Sequence, residues 1–149
     1  MTRAELTEKI VAYKTLKGTT WAEIAEAVGQ SKEWTTAALM GQISLTKEQA
    51  ESAGAALGIN FSDEEMGQLM KVPYRGSLPS SVPTDPLIYR LYEIVMVYGT
   101  TMKELIEEEF GDGIMSAIDF DMDISRVPDP KGDRVKVTMS GKFLPYKSY

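Results

Sequence analysis

The spacing at which apolar residues recur changes once along the chain, after Gly113, and this change constrains the fold more than any other feature. Before it, apolar residues recur at the three- and four-residue spacing of helices. After it, the stretch IDFDMDI alternates strictly, and a second run, RVKVTMSGKFL, follows the turn sequence PDPKGD. In the first run, apolar residues lie on one face of the strand and acidic residues on the other. The apolar residues are Ile118, Phe120, Met122 and Ile124, and the acidic residues are Asp119, Asp121 and Asp123. The pattern predicts an α+β protein that ends in a β-hairpin with one buried face.

Glycines and helix-capping residues divide residues 2–70 into five short segments. In the first, Leu6, Ile10 and Tyr13 fall at helical spacing, and Gly18 follows as a C-cap. The later segments begin after Thr19 or Thr20, Ser31, Thr46 and Ser62, and glycines that stop them are Gly29, Gly41 and Gly58. We therefore predict an N-terminal bundle of five helices over residues 1–71.

Prolines interrupt the helical pattern between Val72 and Pro86. The sequence VPYRGSLPSSVPTDP contains four of them, which makes a helix or a central strand improbable. We predict a proline-rich linker over residues 72–85 and a separate C-terminal domain over residues 86–149.

The C-terminal domain begins with the longest predicted helix, residues 86–109. Asp85 is a suitable N-cap, and Pro86 fits the first helical position, where no N–H is needed. The sequence Gly99-Thr100-Thr101 offers a break point, at which either threonine would cap a second helix. Because a two-stranded hairpin is only marginally stable in water, the hairpin and this apolar helix require a partner. We therefore expect the chain to form oligomers.

The charge and composition exclude several functions. The net charge of −6 weighs against nucleic acid as the main partner, because phosphates are neutralised by Lys and Arg. Histidine and cysteine are absent, which removes the usual general base, a Ser-His-Asp triad, thiolate chemistry and the common zinc sites. No apolar run approaches the ~20 residues that span a bilayer, and the N-terminus does not have the pattern of a signal peptide. We expect a cytoplasmic protein; an all-carboxylate metal site stays open as an alternative, although no Asp/Glu cluster has the EF-hand pattern.

Residues 20–41, TWAEIAEAVGQSKEWTTAALMG, look like a lambda-repressor-like helix-turn-helix. Ala25 and the turn residue Gly29 fall where that motif has them. One interpretation is DNA binding; the other is a helical bundle that shares the packing and lacks the activity. The candidate recognition helix carries one Lys beside one Glu, whereas groove-reading helices usually bring Arg, Lys, Asn or Gln to the bases. The sequence favours a bundle that binds no nucleic acid.

Two charged residues on the long helix are candidates for chemistry. Arg90 and Glu93 lie three residues apart, so they share a helix face among apolar neighbours. In an arbitrary protein such a pair is more often a solvated or interfacial ion pair. The functional alternative is a desolvated guanidinium that binds a small flat anion and is oriented by its carboxylate.

A serine near the glycines of the sequence GDG is the third candidate. Ser116 follows Gly111 and Gly113, which permit close approach of a ligand to the main chain. The ordinary interpretation is a loop and a helical turn that lead into the first strand. The functional interpretation is a corner that presents a hydroxyl and amides to an anion. Without histidine to activate it, Ser116 is a better hydrogen-bond donor than nucleophile.

The stretch DPLIYRLYEIVMVYGTTMKELIEEEFGDGIMSAIDF, residues 85–120, closely resembles the cyanase (cyanate hydratase) family, and GKFLP matches the family's ending. The resemblance covers nearly the whole chain. It implies a repressor-like helical core that does not bind DNA and a small C-terminal domain in which the hairpins of two chains interlock. It also implies a homodecamer, a ring of five dimers, with active sites where dimers meet.

The resemblance further implies catalytic residues and a reaction. The family's catalytic Arg, Glu and Ser correspond to Arg90 and Glu93 in YRLYE and to Ser116 in GIMSAI. The reaction is that of cyanate with bicarbonate, which gives carbon dioxide and carbamate; the carbamate breaks down to ammonia and a second carbon dioxide. It serves cyanate detoxification and nitrogen supply. Bicarbonate is the co-substrate and the nucleophile, and no metal or organic cofactor is implied.

Overall fold

The computed structural model describes residues 1–76, 78 and 80–148. The chain divides into two compact units, Met1–Ser77 and Leu78–Tyr149. The described residues form, in chain order, α1 (Arg3–Lys17), α2 (Trp21–Val28), α3 (Lys32–Leu39), α4 (Lys47–Leu57), α5 (Asp63–Met70), α6 (Pro86–Phe110), β1 (Gly113–Val127) and β2 (Arg134–Pro145). The predicted α+β class and the five N-terminal helices are confirmed. Of the predicted linker, Ser77 and Pro79 lie outside the described residues, and its other residues form neither helix nor strand.

Local capping explains where the five N-terminal helices begin. The N-caps are Thr2, Thr20, Ser31, Thr46 and Ser62, and each side chain accepts a hydrogen bond from a backbone N–H in the first turn. Helix α2 begins at a capping box in which the Thr20 side chain and the Glu23 side chain each bind the other's backbone N–H. Helix α3 ends at Leu39, slightly before the stop expected at Gly41, because Met40 already serves as the C-cap.

The N-terminal unit closes around one apolar core to which all five of its helices contribute. Its largest fully buried apolar side chains are Leu6, Ile10, Ile24, Leu39, Leu57 and Leu69. The indoles of Trp21 and Trp34 are partly buried and pack against this core. Helices α2 and α3 pack against each other, and Gly29 ends α2 at the turn between them.

Helix α6 runs without interruption through 25 residues, so the predicted break at Gly99-Thr100-Thr101 is wrong. Asp85 caps its start, since one carboxylate oxygen accepts from the backbone N–H groups of Leu87 and Ile88, each at 2.9 Å. A glycine inside a helix costs only about 1 kcal/mol relative to alanine, too little to interrupt a helix that is well formed on both sides. None of the helices in the described residues is long and apolar enough to cross a membrane.

Strands β1 and β2 form an antiparallel hairpin that begins earlier than the sequence indicates. Strand β1 starts at Gly113 and contains Ser116, so the loop and helical turn expected there are replaced by strand. The pairing is interrupted once: Met115 faces Phe143, and the next paired residue on β1 is Phe120, which faces Gly141. This irregularity is a β-bulge on β1, and it holds Ser116.

Candidate active site

The first candidate group lies near the start of α6. The guanidinium Nη1 of Arg90 is 3.4 Å from a carboxylate oxygen of Glu93, and the two side chains are 66% and 46% exposed. The ring of Tyr89 lies beside the same guanidinium, with 5.7 Å between the ring centroid and Arg90 Cζ. In one chain this is an exposed ion pair, which contributes at most about 1 kcal/mol to stability. The guanidinium therefore keeps most of its donors for another group.

The second candidate group is the β-bulge on β1. Ser116 is buried, at 5% exposure. Its Oγ accepts hydrogen bonds from the backbone N–H groups of Ile118 at 3.0 Å and Asp119 at 2.9 Å. A hydroxyl has two lone pairs and one proton, so a serine that accepts twice is left with its proton to offer to a ligand. The geometry fits a hydrogen-bond donor better than a nucleophile.

One chain does not bring these two groups together. The C-terminal end of α6 contacts the hairpin through Phe110, whose ring centroid lies 5.2 Å from that of Phe143. Phe143 pairs with Met115, the neighbour of Ser116. Arg90 lies about 20 residues before Phe110, and at 1.5 Å per residue this corresponds to roughly 30 Å of helix. The ion pair and the serine therefore belong to opposite ends of α6.

Apolar side chains of the C-terminal unit are largely exposed in the single chain. Helix α6 buries none of its residues. The apolar residues of its first four turns that lie open to solvent are Leu87, Ile88, Leu91, Ile94, Val95, Met96, Val97 and Tyr98. Ile118, in the bulge, is 98% exposed. Exposed apolar patches of this extent are characteristic of surfaces that another protein chain covers.

The described residues contain no group of three or more Asp, Glu, His or Cys side chains placed to hold a metal ion. On the helix-turn-helix, the one cation of α3 lies close to a carboxylate, with 3.3 Å between Lys32 Nζ and a Glu33 oxygen. Trp34, the aromatic residue of this helix, packs against the core. These contacts are those expected of a structural bundle.

Comparisons with known proteins show that the chain is a lyase. The model of the cyanate lyase C-terminal domain matches residues 80–148, and the model of the cyanate hydratase N-terminal domain matches residues 3–73. The chain belongs to the cyanate hydratase family, and the resemblance noted in the sequence is confirmed.

Individual relatives agree over the full length. Proteins named cyanate hydratase from Methylibium petroleiphilum and Dechloromonas aromatica are 67% and 63% identical to it, with both chains covered completely. The crystal structure of cyanase from T. urticae matches with a TM-score of 0.80 and 38% identity, over 95% of this chain and 97% of that one. The α+β architecture is therefore shared with a solved cyanase.

The sequence did not indicate the β-bulge around Ser116 or the glycine opposite it. A Cβ atom on Gly141 would lie 2.3 Å from the carbonyl oxygen of Ser116 and 2.6 Å from Met115 Cγ. One hint was present: strict alternation begins only at Ile118, so the segment just before it was not expected to pair regularly.

Proposed function

We propose that this chain catalyses the bicarbonate-dependent decomposition of cyanate. The observation that carries the proposal is the full-length identity of 67% to a protein named cyanate hydratase. In the reaction a bicarbonate oxygen bonds to the cyanate carbon, and the bond from that oxygen to the bicarbonate carbon then breaks, which releases carbon dioxide and leaves carbamate. The nitrogen gains two protons, one from bicarbonate and one from outside. Carbamate takes up a further proton and breaks down to ammonia and carbon dioxide.

This reaction suits a protein without histidine or cysteine, since bicarbonate supplies the nucleophile. The protein must hold two anions together, reduce their repulsion and deliver protons. Positioning two reactants and stabilising charge together contribute several kcal/mol to such a step. No organic cofactor or metal is needed for it.

Arg90, Glu93 and Ser116 are the residues we assign to these tasks. The planar guanidinium of Arg90 neutralises the anions, and its neighbour Glu93 either orients it or relays a proton. The hydroxyl proton of Ser116 fixes a substrate oxygen, because its lone pairs already accept from two amides.

The active site on this proposal is shared between chains. Arg90 and Ser116 lie at opposite ends of α6 in one chain, so a second chain must supply the missing group. The exposed apolar face of α6 and the exposed Ile118 are the surfaces that the second chain covers. We propose the homodecamer of five dimers, with interlocked hairpins and sites where dimers meet, and a cytoplasmic location without nucleic-acid partners.

The proposal is tested by ammonia release from cyanate with and without bicarbonate, in buffer freed of carbon dioxide. We expect turnover only when both substrates are present. A protein that is inert with both, while it elutes as an oligomer, contradicts the proposed reaction.

Matched variants test the assigned residues. We expect Arg90→Ala and Ser116→Ala to lower kcat/KM by about 100-fold or more, the usual size of such losses in electrostatic sites. Arg126→Ala is the control for Arg90, because Arg126 also forms an exposed ion pair, 3.1 Å from Asp133. Ser125→Ala on the same strand is the control for Ser116. Equal losses in a variant and its control contradict the assignment.

The variant Glu93→Gln separates the two roles of Glu93. Glutamine keeps an oxygen that accepts from Arg90 but carries no transferable proton at this position. A relay predicts that kcat falls and its pH dependence loses one limb. An orienting role predicts a smaller fall with an unchanged pH profile.

A further inference from the structure

We propose that Gly141 is a positioning residue for the reaction, because its missing side chain makes room for the β-bulge that aims the Ser116 hydroxyl. The inference rests on the proposed function and adds a residue on the opposite strand that acts through Ser116.

The bulge is defined by the pairing of the two strands. Met115 pairs with Phe143 and Phe120 pairs with Gly141. Between these two pairs, four residues of β1 (116–119) stand opposite the single residue Lys142 of β2. The excess chain on β1 has to leave the plane of regular pairing, which bends the strand and re-aims its side chains.

Two backbone amides inside the bulge fix the serine. The N–H groups of Ile118 and Asp119 both donate to Ser116 Oγ, at 3.0 and 2.9 Å. In a regular strand the side chain of a residue does not meet the amides two and three positions later, so these contacts exist only because the chain turns here. The turn therefore sets the rotamer of Ser116 and leaves its proton for a ligand.

Gly141 is where the opposite strand accommodates this turn. A Cβ atom there would lie 2.3 Å from the carbonyl oxygen of Ser116, and real Cβ atoms essentially never approach another atom that closely. It would also lie 2.6 Å from Met115 Cγ. The methionine side chain can move away, but the carbonyl belongs to the bulge itself. Any side chain at position 141 therefore displaces the main chain of Ser116.

The substitution Gly141→Ala tests the proposal on the full-length oligomer. A displacement of catalytic groups by about 1 Å costs on the order of 100-fold, so we expect kcat/KM for cyanate to fall by about that factor. The double variant Met115→Ala/Gly141→Ala should stay as impaired, because it removes the side-chain clash and leaves the clash with the carbonyl. Ser140→Ala, an exposed neighbour on the same strand, should behave as wild type.

A double-mutant cycle distinguishes positioning from general damage to the hairpin. If Gly141 acts through Ser116, Ser116→Ala/Gly141→Ala is no slower than Ser116→Ala alone, to within about twofold. Losses that multiply overturn the proposal, as does a Gly141→Ala protein with wild-type kinetics. A wild-type protein that is itself inert would instead contradict the proposed function.

Hydrogen exchange provides a second test, one that does not depend on how the Gly141→Ala variant assembles. In the wild-type oligomer the amides of Ile118 and Asp119 should be protected, and Ser116→Ala should increase their exchange rates at least about tenfold. Exchange of these two amides at the rate of an unstructured chain, or protection unchanged by Ser116→Ala, overturns the proposal. If Gly141→Ala does not assemble, these rates still test the bulge through which Gly141 is proposed to act, and their failure overturns the proposal.

Discussion

The two units of the chain bury their apolar residues in different ways. In Met1–Ser77, five short helices surround a core in which Leu6, Leu39 and Leu57 are at most 1% exposed. In Leu78–Tyr149, the 25-residue helix buries none of its residues, although it carries more large apolar side chains than any of the short helices. The hairpin likewise leaves Ile118 open. The first unit thus has a well-packed apolar core, whereas the second has local structure whose apolar surface stays open in the single chain.

This difference accounts for where the candidate catalytic residues lie. Arg90, Glu93 and Ser116 all belong to the unit that lacks a core of its own. A desolvated guanidinium is a stronger anion ligand than an exposed one, and in the proposed shared site a second chain would desolvate Arg90. On this proposal the activity depends on assembly, whereas the folding of the N-terminal unit does not.

The largest expected effect comes from charges on the exposed face of α6. Leu91→Asp combined with Val95→Asp places two carboxylates where another chain is expected to pack, and burying an unpaired charge costs several kcal/mol. We expect the oligomer to dissociate and ammonia release to disappear. Light scattering after size-exclusion chromatography measures the mass of the particles.

Tryptophan fluorescence shows whether that effect stays in one unit. Trp21 and Trp34 are the two tryptophans of the chain, and both pack against the N-terminal core. In the α6 double variant their unfolding transition should persist. Leu16→Asp is the control, since Leu16 is 84% exposed on α1. The idea that another chain covers α6 but not α1 is contradicted if the α6 variant stays oligomeric or if the Leu16→Asp control dissociates.

The features that the sequence predicted well are local ones. Helices were expected to begin after Thr20 and Ser62, and both residues cap helices in the structure, because all the interacting atoms lie within four residues. The common face of Arg90 and Glu93 is local in the same way. It follows from helical geometry alone, and the two side chains meet at 3.4 Å.

The features that the sequence did not predict have two causes, a weak local preference that was overridden and pairing with distant residues. The break expected at Gly99 failed because a helix-breaking preference of about 1 kcal/mol is small beside the continuity of α6. The bulge at Ser116 depends on the pairing of β1 with Gly141, 25 positions further along the chain. The resemblance to cyanases selected Ser116, but no local pattern indicates that it accepts two hydrogen bonds. The meeting of Arg90 with Ser116 stays a prediction, since it requires a second chain.

A substitution in the N-terminal core should give an intermediate effect confined to that unit. Leu39 is fully buried, and replacing such a leucine by alanine costs about 2–5 kcal/mol. We expect Leu39→Ala to lower the midpoint of denaturant unfolding followed by tryptophan fluorescence while the particle mass at native conditions stays unchanged. Leu16→Ala, at an exposed position, should change stability by no more than about 0.5 kcal/mol. A dissociated Leu39→Ala particle means that the two units are not separable in stability.

The smallest expected effect concerns a buried carboxylate of the N-terminal unit and depends on pH. Lys9 Nζ donates to Glu65 at 2.5 Å, and the backbone N–H of Ser62 donates at 2.9 Å. The hydrogen bond from Lys9 is the main reason that the pKa of Glu65 lies below its usual value. A lowered pKa in the folded state means that this stabilisation is fully present above the unfolded-state pKa, about 4.3, and is lost as the pH falls through the folded-state pKa.

Glu65→Gln keeps an oxygen that accepts from the backbone N–H of Ser62 and removes the negative charge that pairs with Lys9. The variant therefore isolates what the Lys9–Glu65 charge pair contributes to stability. At pH 7 we expect a loss of about 1–3 kcal/mol in the unfolding free energy of the N-terminal unit. The gap between wild type and variant should narrow as the pH falls below about 4.3, because the carboxylate of the unfolded chain then takes up its proton, and it should close once the pH is below the folded-state pKa. Glu51→Gln is the matched control, since Glu51 is 59% exposed and lies 3.8 Å from Lys47, a pair worth little. A gap that stays constant between pH 7 and pH 3 would show that the Lys9 contact contributes nothing through charge.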